Sequence, residues 1–121
     1  MKALLLLDSI GPDIDQKVKD YPKSIDEAVE KLISELSLKD RTLMANMDKD
    51  ELIDLTNTLG LYIRNKFGLW EGNNDLLESC KKLSGEEQLD VDDASMVIVQ
   101  ELWKKLHKTN VLRLVKQSHI I

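Results

Sequence analysis

Apolar residues recur at helical spacing through most of the chain. After Ser24 they fall at Ile25, Ala28, Val29, Leu32, Ile33 and Leu36, the three-and-four interval that lines one face of an α-helix. Ser24 and Glu27 form a capping-box pair at its start, in which each side chain can accept from a free backbone N–H. A shorter helix is expected from Ser37 to about Met47, with Asp40 in its first turn and Leu38, Leu43, Met44 and Met47 on its apolar side. Asp48 and Glu51 repeat the capping pattern and open a central helix. Its main stripe is Leu52, Leu55, Thr56, Leu59, Tyr62, Ile63 and Phe67. Beside it runs a second stripe of Ile53, Asn57, Gly60 and Arg64.

The rest of the chain is arranged around the stretch from Leu59 to Asn73. Gly60 costs the central helix about 1 kcal/mol relative to alanine, so a close neighbour is expected there. Gly68 is placed to end the helix in a left-handed conformation, after which Leu69 and Trp70 fold back as anchors. Gly72, Asn73 and Asn74 read as a turn in which an asparagine caps the next helix. That helix buries Leu76, Leu77, Cys80 and Leu83. Ser84 to Gln88 is a polar loop, and Asp90 or Asp92 opens the last long helix. Ala94 to Val99 is apolar nearly all round, but Val91, Ile98, Leu102 and Leu106 keep helical spacing. Val111 to Val115 fits either a strand or further helix. The expected fold is all-α: a single-domain irregular or orthogonal bundle of four to six helices over residues 1–121, with a short extended tail as one option for the C-terminus.

Composition narrows the partners. With 42% hydrophobic and 32% charged residues the chain reads as globular, and its net charge of −5 argues against duplex nucleic acid as the main partner. Residues 101–121 carry Lys104, Lys105, Lys108, Arg113 and Lys116 against Glu101 alone, a surplus of four positive charges over a remainder at −9. Lysines suit the C-terminal end of a helix dipole. The apolar run Ala3 to Leu7 is shorter than a signal-peptide core and far too short to span a membrane, so a cytoplasmic protein with an apolar N-terminal helix or arm is expected. Cys80 is the one cysteine and fits a small buried hydrophobe better than a reactive thiol.

Common enzyme fingerprints do not occur: no phosphate-binding GxxxxGK[ST], no GxGxxG after a strand, no GxSxG and no HExxH. His107 and His119 lie among lysines or at the tail, where a surface role is expected. Glu86, Glu87, Asp90, Asp92 and Asp93 cluster, yet the calcium-loop frame fails because Ser95 stands at its sixth position. No catalytic residue, metal or cofactor is assigned. The polar set of interest is Asn57, Arg64, Asn65, Trp70, Asn73, Asp92 and Asp93. Arg64 can pair with a carboxylate, and Asp92 or Asp93 is the expected partner. One reading is a brace locking helix end, turn and last helix together, so that removing Arg64 leaves a buried unpaired acid and a large loss of stability. The other is a small polar or anionic ligand site, with Trp70 as a flat wall.

The run Ile63-Arg64-Asn65-Lys66-Phe67-Gly68-Leu69-Trp70-Glu71-Gly72-Asn73, followed by Leu76, Leu77 and Cys80, then Asp92-Asp93-Ala94-Ser95 and Leu102-Trp103, resembles an uncharacterised family of small bacterial proteins, a domain of unknown function. The resemblance covers about residues 22–106, with the arm 1–21 and the tail 110–121 outside it. It implies a helical bacterial protein and brings no activity with it. The functional expectation is a non-enzymatic interaction domain whose partner is another protein or a second copy, using Trp70 or Trp103 as an anchor. The alternative is a small-ligand-binding protein or enzyme built on the Arg64 set. No membrane partner is expected.

Overall fold

The computed structural model describes the backbone of residues 21–118 and the side chains of residues 21–109. The apolar N-terminal arm expected before Tyr21 lies outside the described residues, as do His119 and the chain end. Among the described residues there are five α-helices and no strand: α1 Ile25–Glu35, α2 Leu38–Ala45, α3 Lys49–Lys66, α4 Asn74–Ser84 and α5 Val91–Ser118, with a 3₁₀ turn at Leu69–Glu71 between α3 and α4. Of the alternatives for residues 111–115, the backbone is helical.

Side-chain caps start the helices. Ser24 Oγ accepts from the Glu27 N–H, but the Glu27 carboxylate takes the Lys23 N–H, so this box closes one residue early. The box at Asp48 and Glu51 is complete. Ser37 caps α2 through the Asp40 N–H, and Asp90 caps α5 through the Asp93 N–H at 2.8 Å. Each bond satisfies an N–H that the first turn leaves without an intrahelical partner.

Helix α5 is the axis of the bundle, packing against each of the other four helices. Ala94, Ser95, Ile98, Val99, Leu102 and Leu106 are buried along one face of it, Val97 is half-buried beside them, and Met96 is exposed. Against it lie Leu52, Leu55, Leu59 and Ile63 of α3, Ala28, Val29 and Leu32 of α1, and Leu76 and Cys80 of α4. Each fully buried leucine contributes about 1.5–3 kcal/mol relative to an exposed one. The Trp103 indole N–H donates to Met47 O at 3.1 Å, near the start of α3, while the end of α3 meets the start of α5 through Arg64 and Ser95. The two helices therefore run antiparallel.

Three expectations need correction. Helix α2 stops at Ala45, and Leu38 and Leu43 are exposed, because only Met44, Ala45 and Asp40 of that two-turn helix are buried in the bundle. Leu83 is also exposed, in the last turn of α4. The two anchors after α3 behave differently: Leu69 is buried, whereas Trp70 is 54% exposed.

Candidate functional site

The end of α3 is shaped by glycine. Gly68 has φ +72°, and a Cβ there would lie 2.3 Å from the Tyr21 ring. The left-handed conformation and the close approach of an aromatic face both demand glycine. Tyr21 also donates to Glu71, fastening the incoming chain to the turn. Gly72, with φ +85° and open space around it, turns the chain into α4. Asn73 stitches the corner. Its Nδ2 donates to Phe67 O at 2.8 Å and Pro22 O at 2.9 Å, and its Oδ1 accepts from the Leu76 N–H at 3.4 Å.

This turn holds Trp70 beside Arg64, whose guanidinium carbon stands 5.5 Å from the ring centroid, a cation–π contact. Arg64 Nη1 donates to the Ser95 hydroxyl at 2.7 Å, and that hydroxyl donates to Asp92 O at 2.7 Å. Arg64 Nε lies 3.3 Å from Asp92 Oδ1, within ion-pair range, yet its N–H is not aligned for a bond and has no hydrogen-bond partner. The contact is thus electrostatic without being a directed hydrogen bond. Gly60 supplies the room: a Cβ there would stand 3.2 Å from both Arg64 Nη1 and Ser95 Oγ. The close neighbour that the glycine implies is this arginine–serine contact.

Of the residues singled out by sequence, the structure brings Arg64, Trp70 and Asp92 together and gives Asn73 a separate, neighbouring task. Asn57, Asn65 and Asp93 are exposed, and none adds a side-chain hydrogen bond to the cluster. Asp92 is itself 67% exposed at the side chain while that of Arg64 is 14% exposed. The expected buried acid is therefore wrong in its burial: Asp92 stays hydrated at the helix start, so losing Arg64 leaves no carboxylate stranded in a dry interior. Ser95 was not singled out. Its signal is a buried hydroxyl three residues after Asp92, on the face of α5 opposite the glycine of α3.

Two further side chains of α5 act on α2. The His107 and Trp103 rings stack with centroids 5.0 Å apart. His107 Nδ1 lies 3.0 Å from Ala45 O, and an N–H on that nitrogen supplies the donor the carbonyl needs. With the bond from Trp103 to Met47 O, they satisfy carbonyls left open after α2. His107 is at the surface, as expected, but it is pinned there. Cys80 is buried and its Sγ lies 3.6 Å from Ala94 O; burial pushes its thiol up from an ordinary 9.0 to about 12, the reverse of what a reactive thiolate needs. Among the described residues, no group of three or more histidine, cysteine or acidic side chains is placed to share a metal ion, and no helix is long and apolar enough to cross a membrane.

A bundle wrapped around one long helix, with an arginine-braced turn that leaves a tryptophan half exposed, defines a small all-α protein. A family model, "Domain of unknown function (DUF6794)", matches residues 21–106, and the chain belongs to that family. No curated protein and no solved structure matches it significantly.

Proposed function

We propose that the protein is a non-enzymatic interaction domain that engages another protein through the face centred on Trp70. The carrying observation is that Trp70 is both half exposed and fixed, held by a 3₁₀ turn between two left-handed glycines and by the Arg64 guanidinium. A large aromatic already locked in place loses little freedom when a partner covers it, which favours it as an anchor. Leu61 lies one helical turn before Arg64 and Met96 one turn after Asp92, and both are exposed. They extend the face from the paired side chains along the antiparallel α3 and α5, with Ile53 further along α3.

The second reading, a small polar ligand at Arg64, Asn65, Trp70, Asn73, Asp92 and Asp93, draws less support. Arg64 is already engaged by Ser95, Asp92 and Trp70, and the donors of Asn73 by two carbonyls.

The test compares immobilised wild-type protein with Trp70→Ala and Leu61→Asp variants in pull-downs, with sedimentation run alongside. A stoichiometric protein held by the wild type and lost by both variants, while their helical circular dichroism is kept, supports the reading; a second copy of the chain in that place would make the domain a self-association module. Identical capture by all three proteins, with no self-association, would refute it.

A further inference from the structure

On a different side of α5, helices α1, α2 and α5 leave an open cleft of about 190 Å³. Ile33, Leu38 and Leu106 form apolar walls. Glu30 and Lys105 line it too and are paired with each other, so the acid contributes little net negative charge. The remaining charge is Arg41. This half-buried arginine lines the cleft, its Nε is fully buried without a hydrogen-bond partner, and no ion pair to its guanidinium occurs among the described residues. Nε is closed to solvent, but the two Nη groups are not, and no described residue bonds them; these are the donors that the arginine can offer a ligand in the cleft. Arg64 Nε also lacks a bond, but that guanidinium has a hydroxyl, a carboxylate and a ring around it. Among the described residues Arg41 has none of these.

We infer that the cleft between α1, α2 and α5 is a binding site for a small organic carboxylate, its carboxyl held by Arg41 and its short apolar end set against Ile33, Leu38 and Leu106. The planar guanidinium matches a carboxylate through two parallel N–H donors. The apolar walls favour an organic acid over inorganic phosphate. This inference is independent of the Trp70 face.

The probe is butyrate, titrated into isotopically labelled protein and followed by amide and methyl chemical shifts. The expected result is saturable shifts at Arg41, Leu38 and Leu106, with 1-butanol and phosphate at least tenfold weaker. Arg41→Gln should weaken butyrate at least tenfold. Leu38→Glu should do the same by placing a negative charge at an exposed lip, where it cannot disturb the core. Absence of saturable shifts, 1-butanol or phosphate binding as well as butyrate, or undiminished binding in both variants would overturn the assignment.

Discussion

Arg64 and Arg41 are both half-buried arginines on helices that pack against α5, and they are held in opposite ways. Arg64 has a hydroxyl at 2.7 Å, a carboxylate at 3.3 Å and an indole beneath it; Arg41 lines a cleft, and no described residue bonds or ion-pairs its guanidinium. An arginine whose surroundings already satisfy it braces the fold, and its loss is felt as stability. One whose surroundings do not satisfy it contributes little to folding and is available to a ligand.

The largest effect expected near the brace comes from the turn. Gly68→Ala should cost about 2–4 kcal/mol, since a left-handed alanine is strained by roughly 1–2 kcal/mol and its Cβ also displaces Tyr21. Gly72→Ala meets open space and should cost only the conformational part, about 1 kcal/mol. Denaturant melts of the pair measure the difference, and equal losses would mean that the Tyr21 contact does not lock the corner.

Cys80 sets the pH range within which the two arginines can be compared. Its thiol sits at about 12 when folded against 9.0 ordinarily, so the folded state holds this proton more tightly than the unfolded one. The associated stability is fully present below pH 9 and is lost as pH rises toward 12. Near pH 10.5 the loss should reach about 2 kcal/mol. Cys80→Ala should flatten that slope, and an unchanged slope would move the cause to other groups.

Asp92→Asn should have a smaller effect, under about 1 kcal/mol and fading in 1 M salt, because the carboxylate is mostly hydrated. A larger, salt-insensitive loss would mean the ion pair carries the brace in place of the arginine–serine bond.

Much of the fold was legible in the sequence because caps and helical spacing are local. Ser24 and Asp48 cap where their spacing placed them, Ser37 caps the helix expected to start there, the asparagine expected to cap α4 is Asn73, and Gly68 is left-handed as its position after Phe67 implied. What local pattern could not settle was which apolar residues a short helix can bury. Leu38 and Leu43 follow the same rule as Met44, but α2 has too few turns to turn both flanks inward. Arg64 could be paired from sequence with Asp92 or Asp93, because they lie at the ends of recognisable helices, but the choice of Asp92 could not be made there. Nor could the burial of the pair be read, since it depends on how α3 and α5 align. The Arg41 cleft had no sequence signal: it arises where three helices meet, and Arg41 alone looks like any exposed arginine.

Paired thermal melts of Arg64→Ala and Arg41→Gln, at pH 7 without added carboxylate, test the division between the two arginines most directly. Arg64→Ala should lose about 1–2 kcal/mol, from a charged hydrogen bond and the cation–π contact, seen as a fall of roughly 3–12 °C. Arg41→Gln should melt at or above the wild-type temperature, because it removes a charge that no described residue pairs. A stable Arg64→Ala beside a strongly destabilised Arg41→Gln would contradict that division.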